Sequence, residues 1–373
     1  MVSNYSSNTA YAWWLMEHFW TTQAKMFEQA GFSTFLAYPK ITTLPEAITN
    51  SNIIDIELTL PWTTYEEEVK AKKFITENNI SCIYFTDQPY LNIQYVKLRA
   101  MGIKRIIIHD HTPGDRPPVT GLKGFIKSLI HKIPWLTADA VLCVSQLMQT
   151  RNITNTRIPA HKCIVVQNGI KPITCDQTNS QLRAELGLKP ETTIVITTGR
   201  AHPYKRFDFV IRCAKVLRES SPELDIVFLL VGDGPSMSEL TEMVKSDGLE
   251  GSVRLLGFRS DVSKLLCTSD IALHAALGEG FSLSIIEYMS AGLPVLVPDI
   301  PSVSQATKHN VTGFIYSPDD SKSVVKYITD LTTNPEKKLT MGNSAKQDAD
   351  NLYTLEKCTQ RFIDVLSSTY TYS

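Results

Sequence analysis

No apolar run in the 373-residue sequence approaches the length of a membrane-spanning helix, and no signal peptide is visible. Neither a transmembrane nor a secreted protein is expected. Cys-x-x-Cys pairs are also missing. The seven cysteines, at 82, 143, 163, 175, 213, 267 and 358, are odd in number and scattered, several of them inside apolar strand-like runs. They read as small core residues in a reducing compartment, which points to the cytoplasm. Asn-x-Ser/Thr matches at Asn4, Asn152 and Asn310 then count as chance. Net charge is small, at −1, so nothing global recommends a nucleic-acid partner. Internal repeats and low-complexity tracts are absent. The dinucleotide fingerprint is absent too, because Gly232-Asp233-Gly234 runs into Pro235 without a third glycine. That makes an NAD-dependent oxidoreductase a distant prospect, and the segment reads better as a tight strand-to-helix turn beside a bound diphosphate.

What remains is an ordinary globular composition, 43% hydrophobic and 20% charged, in a chain long enough for two domains. Short apolar strands, such as 81–87, 104–109, 140–145 and 163–168, alternate with helical patterns, and the alternation restarts after a polar linker over 171–179. Two successive series of this kind predict an α/β protein with two doubly wound, Rossmann-like domains facing a cleft. The first domain is expected over 1–175, completed by about 352–373, and the second over 176–351. Leu355, Cys358, Phe362, Ile363 and Leu366 mark a final helix. At the other end only a remnant of a strand fits before Ser6-Ser7-Asn8-Thr9-Ala10. Either that loop is built from Ser and Asn, or a strand is missing. A helix over 11–30 carries Trp13, Trp14, Phe19, Trp20 and Phe27. Core packing is its preferred reading, and an aromatic platform for an acceptor the lesser one.

The chemistry gathers in Gly278-Glu279-Gly280-Phe281-Ser282-Leu283-Ser284-Ile285-Ile286-Glu287. A strand over 270–275 precedes this glycine loop, and Ser282 suits the N-cap of a helix. Free N–H groups near Ser282, Leu283 and Ser284, together with the helix dipole, make an anion site. Glu279 sits on the loop at one end and Glu287 inside the helix at the other. The spacing suits a nucleotide-sugar, with Glu287 for ribose hydroxyls, Glu279 for sugar hydroxyls and the diphosphate between.

With Thr197-Thr198-Gly199-Arg200, Tyr204-Lys205-Arg206, Leu229 to Pro235, Val253 to Phe258 and Met289 to Val295, this segment resembles the retaining glycosyltransferases of the group 1 (family 4) type, which have the GT-B fold. The likeness is strong over about 190–320 and thin at the N-terminus. It implies that the final helix crosses back to the first domain and that Arg200 and Lys205 clamp the donor diphosphate. Gly199 and Gly232 would lie beside that donor, with Gly280 and Phe281 continuing its cradle, and Gly257-Phe258-Arg259 would line the base pocket. The family usually has glycine after the lysine. Here Arg206 either alters the loop or adds a third cation. The resemblance also implies a His at a strand end of the first domain that contacts the donor sugar from across the cleft. His109 and His111 compete for that part, and His111-Thr112 matches the family's pair better. No cofactor and no metal are expected: His109, Asp110 and His111 are too close in sequence to converge on an ion, and protein cations neutralise the diphosphate.

The expected activity is retaining, metal-independent transfer from a UDP- or GDP-type sugar to a glycan or lipid-linked acceptor. Alternatives are a GT-B phosphorylase, a sugar-nucleotide epimerase, or a non-catalytic nucleotide-sugar-binding partner subunit. The basic, amphipathic stretch 121–136 has two readings: it lies on an anionic membrane surface, giving peripheral contact at the inner face, or it is a domain helix that buries its apolar stripe.

Overall fold

The computed structural model describes residues 1–8, 14–114, 116–175 and 180–370. Thr9, Ala10 and Trp13, and the linker residues 176–179, lie outside them. The chain divides into two compact units, Met1–Asn168 with Glu356–Ser373, and Gly169–Leu355.

In the first unit the strands are β1 (Phe35–Tyr38), β2 (Ile54–Glu57), β3 (Cys82–Thr86), β4 (Arg105–Asp110), β5 (Ala140–Cys143) and β6 (Cys163–Val165). All paired strands run parallel, in the orders β1-β2 and β3-β4-β5-β6. Val2 joins the two sets. It bridges both Ala37 and Phe85; its N–H donates to the Tyr84 carbonyl at 2.8 Å, and the Ser3 N–H donates to the Ala37 carbonyl at 2.9 Å. The strand remnant at the N-terminus is thus the central rung of one sheet.

The helix Trp14–Gln29 buries Phe19 and Trp20, so its aromatic residues serve packing. They meet the final helix, Leu355–Tyr370, whose Cys358, Phe362 and Leu366 are fully buried at a four-residue spacing. Phe19 and Phe362 lie 4.6 Å apart between ring centroids. That stripe explains why the last helix belongs to the first unit.

The second unit contains β7 (Thr193–Thr198), β8 (Ile226–Val231), β9 (Val253–Gly257), β10 (Ile271–Leu273), β11 (Val295–Pro298) and β12 (Gly313–Tyr316), all parallel, in the order β12-β11-β10-β7-β8-β9. Every residue of β7 and β8 is buried, as continuous apolar strands covered on both faces should be. From β7 the chain winds outward through β8 and β9, then returns to start β10 on the other side. The carboxyl ends of β7 and β10 therefore flank a topological switch point, where open parallel sheets bind ligands.

Two expectations need correction here. The segment after Asn168 is not a free linker over its described part. Ile170 bridges Thr354, and the Ile173 N–H donates to Ser290 Oγ at 2.8 Å, so residues 169–175 dock on the second unit. Docking also brings Cys175 to Cys267 on the helix Val262–Thr268, and the two form a disulfide. Four of the other five cysteines are buried, as core residues should be. With one disulfide present, cysteine usage no longer argues for a reducing compartment. Among the described residues no helix is long and apolar enough to cross a membrane.

Candidate functional site

Beyond β7 the backbone turns at Gly199, with φ 153, and its N–H donates to the Val231 carbonyl. Gly232, with φ 137, comes so close that a Cβ there would stand 1.7 Å from the Gly199 oxygen; one on Gly234 would stand 2.4 Å from that of Ala201. Both glycines are required by this close approach of backbone to backbone. The turn after β8 thus fixes the 199–201 loop, and Arg200 is exposed at its tip with its guanidinium unpaired among the described residues.

The 3-10 turn Pro203–Lys205 follows. Lys205 points at the β10 loop, its Nζ 2.5 Å from Glu279 Oε1. The Leu277 N–H donates to the Tyr204 carbonyl at 2.9 Å, which ties the two loops together. On the same carboxylate oxygen His274 Nε2 donates at 3.2 Å, and the Tyr316 hydroxyl holds the His274 carbonyl at 3.0 Å. Both side chains of the Lys205–Glu279 pair are largely shielded, at 12% and 13% exposure. Burial alone would push the Glu279 carboxyl up. The Lys205 charge and the His274 hydrogen bond outweigh it and hold the pKa at about 2. Lys205 is also desolvated, yet Glu279 and Tyr204 raise it above its ordinary value. His274 is buried and lowered, chiefly by desolvation, so it is a neutral donor at pH 7. The sequence reading missed His274 because a histidine inside an apolar strand looks like packing; its position five residues before Glu279 was the available signal.

The helix Leu283–Ser290 begins at buried Ser282, whose side chain makes no cap hydrogen bond, so its first N–H groups remain available to an anion. Gly280 and Phe281 lead into it. The Gly280 carbonyl accepts from Gln305, and Phe281 packs on Tyr353 at 5.3 Å. Tyr288 clamps the helix to β7, its hydroxyl accepting from the Thr198 N–H at 2.6 Å. One position earlier, Glu287 has no charged or hydrogen-bonding partner among the described residues, and desolvation raises its pKa to about 7. A carboxyl left in that condition suits neutral hydroxyl donors.

Arg206 is not a third cation of this cluster. It adopts the left-handed conformation, φ 58 and ψ 41, that glycine favours, and its guanidinium turns to Asp319 at 2.5 Å and Asp208 at 3.4 Å. Relief of the left-handed cost, about 1 kcal/mol, and loss of a surface pair worth about the same should nearly cancel in Arg206→Gly. Thermal denaturation and turnover should both match wild type; a tenfold fall in kcat would return Arg206 to the clamp. Arg259 is likewise engaged, with Asp261 at 2.7 Å, while Phe258 after Gly257 is 65% exposed.

In the first unit the two histidines separate. His109 is fully buried, its Nδ1 2.5 Å from the Tyr84 hydroxyl and its ring packed on Phe19 at 4.9 Å. With no face open to a ligand it is corrected to a core residue. His111 is partly exposed; its N–H donates to Asp87 Oδ1 at 2.5 Å, and burial of the ring lowers its pKa to about 4. Asp110 is held ionised against its own burial by Arg116, Asn152, Thr112 and Arg151. Among the described residues no group of three His, Cys, Asp or Glu side chains is arranged to hold a metal ion.

The family model of the group 1 glycosyl transferases matches residues 178–348. The chain is 29% identical over 214 residues to an Escherichia coli UDP-Gal:alpha-D-GlcNAc-diphosphoundecaprenol alpha-1,3-galactosyltransferase, with 55% of each chain covered. It is 28% identical over 184 residues to a Bacillus anthracis N-acetyl-alpha-D-glucosaminyl L-malate synthase, covering 49% of this chain and 47% of that one. The matches thus span about half the length of these relatives. Anabaena HepE, solved in complex with UDP and glucose, superposes with a TM-score of 0.75 at 19% identity over 98% of both chains. That likeness shows the fold, which is GT-B.

Proposed function

Residues 178–348 belong to the group 1 glycosyl transferases, and from that premise we propose that the chain moves a sugar from a UDP- or GDP-type donor to a glycan or lipid-linked acceptor, with retention and without a metal. The observation that carries this reading is the arrangement at the switch point. Lys205 reaches Glu279 on the loop that leads to an uncapped helix N-terminus, unpartnered Glu287 lies just over a turn into that helix, and Arg200 is exposed on the loop after the neighbouring strand β7. When the glycosidic C1–O bond breaks, negative charge grows on the leaving diphosphate. Arg offers a planar fork there and Lys a point charge, and both act more strongly on the transition state than on the ground state. Glu287 takes the ribose hydroxyls. Glu279, steadied by His274, takes those of the sugar. The acceptor oxygen bonds to C1 on the face the diphosphate leaves, and its proton passes to a phosphate oxygen. In the free protein Lys205 and Glu279 occupy each other, so donor binding exchanges their ion pair for phosphate and hydroxyl contacts.

The working place proposed is cytoplasmic, at the inner face of a membrane, a reading that rests on the nucleotide-sugar donor and no longer on the cysteines. Incubation with labelled UDP- and GDP-sugars tests the reaction: slow release of nucleoside diphosphate is expected, undiminished by a chelator, and an acceptor product should keep the donor's anomeric configuration. Inversion would overturn retention, and a chelator-sensitive rate would overturn metal independence. Orthophosphate-dependent sugar-1-phosphate would instead mean a phosphorylase, an epimerised nucleotide-sugar an epimerase, and tight binding without turnover a partner subunit.

A further inference from the structure

Residues 173–175 dock at the far end of the helix Leu283–Ser290, whose uncapped N-terminus faces the site. The Ile173 N–H donates to Ser290 Oγ at 2.8 Å, and Lys346 Nζ donates to the carbonyls of Ser290 at 2.8 Å and Ile173 at 3.3 Å. The Cys175 sulfur lies 3.7 Å from the Ala291 carbonyl oxygen. Eight residues of helix span about 12 Å, so these contacts sit three turns or less from the anion cradle, with Glu287 between.

Little else holds the segment. Lys171, Pro172, Thr174 and Cys175 are exposed and Ile173 is half-buried, so past Ile170 no buried apolar side chain anchors it. Its end is tied by the disulfide from Cys175 to Cys267, 92 residues away in sequence. The exposed Cys175 sulfur is open to attack by a thiolate, and exposed disulfides are the labile, regulatory ones. In the cytoplasmic setting proposed above, a disulfide is of the transient, redox-sensing kind. Cys213, the one other cysteine of this unit, is buried, so no third thiol competes when the bond opens and the same pair can close again.

We propose that Cys175 and Cys267 form a reversible thiol–disulfide switch. Closed, it pins residues 173–175 to the end of the helix Leu283–Ser290; opened by a dithiol reductant, it releases them and loosens that helix. A reductant thiolate bonds to the Cys175 sulfur as the bond to Cys267 breaks, and Cys267 leaves as a thiolate that takes a proton. The second reductant sulfur then displaces Cys175, so two electrons and two protons pass to the protein and the reductant becomes a cyclic disulfide. The effect on the donor rests on the sugar-transfer reading; the release itself is read without one.

The test compares the full chain as oxidised and after dithiothreitol without denaturant. Alkylation after unfolding should count five thiols in the first and seven in the second, the two gained being Cys175 and Cys267. With no nucleotide present, hydrogen exchange should quicken on reduction at the Ile173, Ala291 and Gly292 amides. UDP or GDP should bind the reduced form on the order of tenfold more weakly, and by reciprocity should oppose reduction by the same factor. Cys175→Ser and Cys267→Ser should each behave as the reduced form and ignore dithiothreitol. Seven thiols at the outset, reduction only in denaturant, or unchanged exchange at those amides would overturn the switch. Quickened exchange with equal affinity in both forms would also overturn it, leaving a structural staple. Quickened exchange with no nucleotide bound by either form would uphold the switch and count against the sugar-transfer reading instead.

Discussion

Lys205→Met is expected to lower kcat by about 10²- to 10³-fold, the usual loss when one preorganised charge donor is removed from a transition state. It should also lower stability, which the sequence alone did not suggest. Lys205 and Glu279 are a shielded pair at 2.5 Å, and removing one member of such a pair costs about 3–5 kcal/mol because the other charge stays behind. Inactivity in the single variant could therefore mean unfolding. The double variant Lys205→Met with Glu279→Gln separates the two: without an orphaned carboxylate it should recover most of the lost Tm and remain inactive. Steady-state turnover with denaturation of all three proteins checks this. Near wild-type kcat in either variant would remove Lys205 from the clamp, and an unchanged Tm in the single variant would deny the buried pair.

Glu287→Gln should make the free protein more stable and the donor complex weaker. Desolvation lifts the Glu287 carboxyl from the ordinary 4.5 to about 7, so between those values the folded protein holds a proton that the unfolded chain has released. Stability thus falls as pH rises across this window, and the loss is complete above about 7. A shift of this size corresponds to about 3 kcal/mol, or roughly 10 °C in Tm. The glutamine variant should match wild type near pH 5 and exceed it near pH 8. Ribose hydroxyls donate to the ionised form, so wild-type affinity for nucleoside diphosphate should tighten from pH 6 to 8, while that of the variant stays weak and flat. Calorimetric titration at both pH values with thermal melts decides it. A variant that is less stable at pH 8, or that binds normally, would place the ribose elsewhere. This trade of stability for binding is what a site carboxyl without a protein partner should show.

Strand runs such as 104–109 and 140–145 were legible because buried parallel strands are written as unbroken apolar stretches. The placing of Glu279 and Glu287 on either side of a helix start was legible in their spacing, whereas Lys205 came from the family resemblance. Other features depend on contacts that spacing does not encode. His109 and His111 differ by two positions, yet Phe19 and Phe362, from distant segments, seal in the first alone. Cys175 and Cys267 meet only because residues 169–175 dock across the second unit, a pairing 92 residues apart. Periodicity in the Gly121–Ile130 helix reveals a stripe and not its direction. That is read from burial, since Leu122, Phe125, Ile126 and Leu129 are exposed and only Gly124 of the helix is buried.

The buried row Cys358, Phe362 and Leu366 has a consequence for biosynthesis. It completes a unit whose other residues are the first 168, so during translation that unit waits for the closing helix while the intervening 169–355 segment can already condense as it leaves the ribosome. A nascent chain arrested short of residue 358 should therefore present a folded rear half behind an unfinished front, with Phe19 bare for chaperones to hold.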